Sequence, residues 1–227
     1  MSPVEEIVEG VYLIGGPNVS YGEDATAFVI RFPETLVMID SGAGRSASVL
    51  EKNMAKAGLK PGDISLLVLT HCHIDHIGGA PYFREIHGIP TAMHDLDADA
   101  VERGDPVRTA ANWYETEFPP TPVDRRFTLD HEVLSFDDEE LHVLHTPGHT
   151  PGSLSLYLDR GDRRVLFGQD IHGPFLPSFD SVVADWRRSM EKLLELRADI
   201  LCEGHFGIFH GREKVEAYIR KYMRSYA

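Results

Sequence analysis

Cysteine is almost missing from this chain: there are two, Cys72 and Cys202, in 227 residues. That excludes a disulfide-stapled scaffold, and nothing demands that the two thiols pair. Sparse cysteine suits a reducing compartment. Long apolar runs are missing too, and none reaches the roughly 20 residues that cross a bilayer. The opening residues Met1-Ser2-Pro3-Val4-Glu5-Glu6 carry neither a basic start nor an apolar stretch. A secretory signal is not expected, and the expected location is cytoplasmic. Positive charge is scarce: 22 Lys and Arg stand against 36 Asp and Glu, a formal net charge of −14. Such a chain repels phosphate backbones unless its basic groups cluster. The pairs Arg125-Arg126, Arg163-Arg164 and Arg187-Arg188 are scattered. Neither nucleic acid nor a membrane is an expected partner. A small-molecule substrate is, and a homo-oligomer stays open. No low-complexity tract or strong internal repeat is present.

What remains is ordinary for a globular protein, with 42% hydrophobic and 26% charged residues. The length fits a single α/β domain over residues 1–227 better than two small ones. Short apolar runs bounded by Gly, Pro and Asp predict strands over 11–14, 27–32, 36–39 and 64–69. A change of period predicts a helix over 46–57, with Gly58 in place to end it. Residues 80–87 and 95–102 read as helices and 89–93 as a strand. The segment 104–126 differs, with four prolines and Trp113, Tyr114 and Phe118 among them. A helix is expected over 107–117. The whole segment is either a surface connection packed by its own aromatics or a lid over a substrate pocket. The second half repeats the first. Strands are expected over 133–136, 141–144, 153–158, 165–168 and 200–201, and helices over 185–196 and 214–223. Strands followed by helices, twice over, predict two α/β halves whose sheets pack face to face with helices outside.

The chemistry concentrates in Thr70-His71-Cys72-His73-Ile74-Asp75-His76-Ile77-Gly78-Gly79, just past a buried strand. Residues two apart in extended chain point the same way, so His71 and His73 share a face and Cys72 points away as a buried structural thiol. Asp75 and His76 follow in the turn, where the two glycines permit a tight backbone. Three imidazoles and a carboxylate beside a core strand are costly to bury alone. Around a metal ion they are a natural ligand set. Four ligands could fill one zinc ion, but later segments add more. His149 lies in the loop 145–153, between two predicted strands. Asp170 ends the strand 165–168. His205 follows the short strand at 200–201. Each ligand-bearing segment sits at or just past a strand end, and such ends can converge at one edge of a sandwich. His94, His131, His142 and His210 are expected to be ordinary histidines.

The ordered set His71/His73/Asp75/His76, His149, Asp170 and His205, with Ile39-Asp40-Ser41-Gly42 before it, resembles the metallo-β-lactamase superfamily over residues 25–210. The resemblance implies an α/β fold, a four-layer αβ/βα sandwich with mixed sheets and the metals at one edge. It implies two metal ions, zinc in the first place, with iron or manganese as alternatives. His71, His73 and His149 would hold the first, Asp75, His76 and His205 the second, and Asp170 would bridge them. Asp40 would support the ligands without being one. The implied reaction is attack of a metal-bridged hydroxide on an ester, thioester, lactone or phosphoester, with Asp75 as a proton acceptor. His172, two residues past Asp170, is either a substrate contact or an ordinary exposed histidine, the second being the better bet. Asp170 and the missing leader argue against the antibiotic-degrading branch. The ligand set resembles glyoxalase II-like hydrolases, though only one helix after Gly211 stands where those enzymes carry a longer extension. A mononuclear non-haem iron dioxygenase and a non-catalytic metal-binding module are the competing readings.

Overall fold

The computed structural model describes residues 4–226. Seven strands form the first sheet: β1 (Glu5–Val8), β2 (Val11–Gly15), β3 (Ala27–Arg31), β4 (Leu36–Ile39), β5 (Ile64–Val68), β6 (Thr91–His94) and β7 (Arg125–Phe127). They lie side by side in chain order. The first four pair antiparallel, as closely spaced hairpin strands must. From β4 onward the pairing is parallel, because helices carry the crossovers. These helices are α1 (Ala47–Lys56), α2 (Ile74–Ile77), α3 (Ala80–His87) and α4 (Asp95–Arg103). The second sheet has six strands: β8 (His131–Phe136), β9 (Glu139–His145), β10 (Leu154–Arg160), β11 (Arg163–Gln169), β12 (Ile200–Glu203) and β13 (Gly207–His210). The crossover from β11 to β12 runs through α5 (Val183–Glu195) and gives the one parallel pair of this sheet among the described residues. α6 (Arg212–Ser225) closes the chain.

Three apolar clusters show the layering. One fills the space between the sheets, with Phe28, Ile30, Val37 and Ile39 against Leu156, Val165 and Phe167. A second lies beneath α1, α3 and α4, and a third beneath α5 and α6. Because both faces of the central strands are covered, β3, β4 and β11 read as nearly continuous apolar runs. The result is the αβ/βα sandwich with mixed sheets that the sequence implies.

Three strands escape the sequence reading: β1 (EEIV), β7 (RRF) and β13 (GIFH). All three are edge strands. Short, charged or glycine-bearing edges are how sheets avoid pairing with other chains, so their sequences lack strand pattern. The helix expected over 107–117 is not there. A single 3-10 turn, Ala111–Tyr114, stands in its place, flanked by left-handed Ala110 and Glu115. Cys72 and Cys202 are buried free thiols. Among the described residues no helix is long and apolar enough to cross a membrane.

Candidate metal centre

Four strand ends deliver the polar cluster to one edge of the sandwich. His71 and His73 follow β5, His149 follows β9, Asp170 follows β11, and His205 follows β12. The short α2 then presents Asp75 and His76. The glycines after it serve close packing rather than unusual dihedrals. A Cβ at Gly78 would lie 2.3 Å from the carbonyl carbon of Ala43, and one at Gly79 would lie 2.3 Å from the Ser41 oxygen. The loop after β4 therefore lies directly on the α2 turn, and Ser41 N–H donates to His76 O at 2.7 Å.

The donors fall into two sets. His73 Nδ1 lies 3.1 Å from His71 Nε2 and 2.9 Å from His149 Nε2. Asp75 Oδ2 lies 3.2 Å from His205 Nε2 and 3.7 Å from His76 Nε2. Asp170 stands between them. Its Oδ2 faces the first set, 3.4 Å from His149 Nε2 and 3.9 Å from His71 Nε2. Its Oδ1 faces the second, 3.2 Å from His76 Nε2 and 3.4 Å from His205 Nε2. Each carboxylate oxygen thus serves one set.

Hydrogen bonds on the far side fix which ring nitrogen faces inward. Asp40 Oδ2 accepts from His76 Nδ1–H at 2.7 Å, and the Pro174 carbonyl accepts from His149 Nδ1–H at 2.8 Å. The Thr70 hydroxyl donates to Asp40 and lies 3.2 Å from His71 Nδ1. These contacts put a proton on Nδ1 of His71, His76 and His149 and turn their Nε2 atoms inward, where His73 presents Nδ1 instead. Lone pairs at about 3 Å repel unless a cation lies between them. The edge of a tetrahedron of 2.0–2.1 Å zinc–nitrogen bonds is about 3.3 Å, close to the spacings seen. His76 Nε2 and Asp170 Oδ1 are buried with no hydrogen-bond partner. The residues therefore fit metal binding, in the groupings His71/His73/His149/Asp170 and Asp75/His76/His205, each of which could hold an ion.

The electrostatics of the sets differ. Burial, and then the neighbouring imidazoles, hold His71 well below the ordinary histidine range. His73 is likewise lowered by burial and by His149. Burial also opposes charge on His76 and His205, but acidic groups outweigh it. Asp170, Asp40 and Asp75 push His76 well above its usual value, and Asp170 and Asp75 raise His205 to about 10. A cation at the first set meets imidazoles that are already neutral at pH 7, beside the ionised Asp170. One at the second set must displace protons, so its affinity should rise about tenfold per pH unit for each proton displaced. Calorimetry in buffers of different ionisation enthalpy should find about two protons released with the second equivalent and almost none with the first.

Residues that no motif singled out hold the frame. Asp97 on α4 is fully buried. Its carboxylate accepts from Cys72 N–H at 3.1 Å, the Thr150 hydroxyl at 2.7 Å and Gly152 N–H at 2.9 Å, tying the first histidine loop to the His149 loop. Only its place on the inner side of α4 marked it, since an acid inside an otherwise polar helix carries no pattern. Gln169 adopts positive φ and donates to Asp40, which does so too. Cys72 is buried as expected, in the apolar cluster under the helices, with its thiol against the Arg108 carbonyl.

His172 is not the ordinary exposed histidine favoured from sequence. It is half-buried, its Nδ1 lies 2.8 Å from buried Glu203, and it groups with Asp170 and His205. His94 is buried and stacks on His145 at 3.8 Å, so it belongs to the scaffold. The 104–126 segment reaches the site. Tyr114 is half-buried with its hydroxyl raised by burial and by Asp75 and Asp170. Trp113 packs 5.0 Å from Phe179, whose ring lies 4.2 Å from that of His73.

One glycine packs directly on Asp170. A Cβ at Gly204 would sit 2.4 Å from Asp170 Oδ1. Gly204→Ala should therefore displace the carboxylate. The expected result is a fall in kcat of about 100-fold, the scale of a 1 Å misplacement, with little change in the far-UV circular dichroism.

The profile of the Metallo-beta-lactamase superfamily matches residues 21–205. The chain belongs to the metallo-beta-lactamase superfamily. The human acyl-coenzyme A thioesterase MBLAC2 is 30% identical over 95% of this chain and 84% of its own length. A probable metallo-hydrolase of Methanocaldococcus jannaschii, MJ0888, is 28% identical over 65% of this chain and 71% of its own. Among solved structures, a metallo-beta-lactamase mutant from Cronobacter sakazakii superposes with a TM-score of 0.84 at 20% identity, covering 100% of this chain and 96% of that one. The subclass B3 enzyme BJP-1 of Bradyrhizobium japonicum gives 0.83 at 23%, covering 99% and 92%. These likenesses to solved structures establish the fold. Membership of the superfamily and the named relatives make the chain a metal-dependent hydrolase.

Proposed function

We propose that the chain is a binuclear metallo-thioesterase whose partner is a small-molecule thioester. The observation that carries the binuclear part is the split of Asp170, one oxygen on each histidine set. The thioester is favoured by the thioesterase relative that aligns over nearly the whole chain. His71, His73 and His149 would hold the first ion and Asp75, His76 and His205 the second, with Asp170 between the two sets. Zinc suits these donors, which are imidazole and carboxylate with no thiolate. When bound, two such ions supply Lewis acidity, polarising a carbonyl oxygen and lowering the pKa of water.

The chain's own groups do the rest. In the hydrolysis, a water oxygen bonds to the acyl carbon, the C–S bond breaks, and the sulfur leaves with the electron pair. Asp75, at the second set, takes the proton the water gives up. That proton returns to the departing thiolate. His172, held by Glu203 at the edge of the second set, is a contact for the substrate. Phe179 and Trp113 cover the first set and keep bulk water from it.

A panel of short acyl thioesters, oxygen esters, lactones and phosphodiesters, assayed with zinc-loaded protein, tests this reading. Thioesters should be cleaved with kcat/KM at least about tenfold above the other classes. A preference for any other class would overturn the substrate assignment. Uptake of oxygen during turnover with one equivalent of iron would favour the dioxygenase instead.

A further inference from the structure

His205 has a second neighbourhood besides its partners in the metal set. It lines a cleft of about 570 Å³ that runs between the edges of the two sheets, a volume typical of small-molecule sites. One wall is Leu13, Gly15 and Gly16 at the end of β2, with Pro17, Asn18 and Val19 beyond it. The other is Phe206, Gly207, Ile208 and His210, which means the outer side of β13. Glu5 is the lone charged side chain apart from the two histidines, and no lysine or arginine lines the cleft.

β13 has no strand on its outer side among the described residues. The pairing phase shows which of its backbone groups are unused by β12. Gly211 N–H donates to Asp199 O at 2.7 Å, so these two form a bonded pair. In the same register, Leu201 faces Phe209 and Glu203 faces Gly207. Alternation makes these bonded pairs as well, and leaves the N–H and C=O of Ile208 and His210 pointing away from β12. Those two residues line the cleft, while Phe209 does not. The Ile208 side chain meanwhile packs against the core between the sheets. The cleft therefore offers main-chain donors and acceptors at strand spacing on one wall, the apolar side chains of Leu13, Pro17 and Val19 on the other, and His205 beside them.

We propose that this cleft holds the leaving-group arm of the thioester, an uncharged chain bearing secondary amides, laid in extended form along the outer edge of β13. This rests on the thioesterase reading and adds where the arm binds and what it is made of. From Gly207 to His210 the strand edge spans roughly 10 Å at about 3.3 Å per residue. That length accommodates two successive amides, as in a pantetheine-type arm. The mode is strand addition, in which main-chain hydrogen bonds supply affinity. His205 is the one residue of the metal sets that also lines the cleft, so the sulfur end of the arm lies at His205. A phosphorylated or otherwise anionic arm would find no cation in the cleft, whereas amides find partners.

The test uses the zinc-loaded protein and three thioesters of one acyl group: on pantetheine with two amides, on N-acetylcysteamine with one, and on an alkanethiol of matched length with none. Each amide should raise kcat/KM about fivefold, the usual effect of one hydrogen bond. Equal kcat/KM for all three, with thioesters still cleaved, overturns the arm assignment and leaves the thioesterase reading standing. Failure to cleave any of them overturns both. His210→Pro removes an outward N–H that β12 does not use, at an edge position where proline is tolerated. It should lower the pantetheine-to-alkanethiol ratio about fivefold. An unchanged ratio in folded variant protein would also overturn the assignment.

Discussion

Asp170→Asn is expected to lower kcat/KM for a thioester by about 1,000-fold or more, a barrier change of about 4 kcal/mol. The substitution keeps the shape of the side chain and removes its charge. Both carboxylate oxygens are in use, Oδ2 toward His149 and His71, Oδ1 toward His76 and His205. A carboxamide has one oxygen and one N–H₂ group, so it can serve one set as an acceptor but turns a donor toward the other. The loss should be larger at the second set, where Asp170 Oδ1 lies 3.2 Å from His76 and 3.4 Å from His205, against 3.4 and 3.9 Å for Oδ2 at the first. Inductively coupled plasma analysis of the variant should find the second equivalent depleted and the first mostly retained. Wild-type activity in Asp170→Asn, with two equivalents still bound, would remove Asp170 from its bridging place. The same substitution lowers the charge that holds His205 at about 10, so proton release on metal binding should shrink alongside the affinity.

Asp40→Ala should act mainly on stability. Asp40 is fully buried and accepts from His76 Nδ1, from the N–H and hydroxyl of Thr70 at 2.8 Å each, and from Gln169. Truncation leaves these buried donors without a partner and His76 without one of its counter-charges. Breaking a buried charged pair this way costs about 3–5 kcal/mol. For a chain of this length that is a fall in Tm of roughly 10 °C. The folded variant should also bind the second metal about 10–100-fold more weakly, because the ring that presents Nε2 is no longer held. Differential scanning calorimetry and metal titration read the two effects separately. A Tm shift below about 2 °C would show that Asp40 is not the buried anchor its contacts describe. The positive φ of Asp40 gives alanine a further penalty, since it is a backbone region that alanine adopts poorly.

The metal-directed residues were legible because their chemistry has little other use. Histidines at 71, 73 and 76 with an acid at 75, directly after an apolar strand, have few structural explanations. The strands that deliver them were legible for a related reason: buried on both faces, they read as unbroken apolar runs. What escaped lacks such a signature. β1, β7 and β13 are short edge strands interrupted by charged residues or a glycine, and the edge of β13 became the wall of the cleft. Tyr114 reaches the site from a proline-rich segment whose 3-10 turn has no helical period. Asp97 and Glu203 are buried acids whose roles depend on which loops the fold brings beside them. His172 read as an ordinary exposed histidine because its partner, Glu203, lies 31 residues away in sequence.

The most direct measurement is a zinc titration of chelator-stripped protein, following thioesterase activity against equivalents bound. Two linked sets sharing Asp170 predict activity that climbs to its plateau at close to two zinc ions per chain, with the second step steeper at higher pH. A plateau reached at one equivalent, unchanged by further zinc and independent of pH, would contradict the binuclear centre.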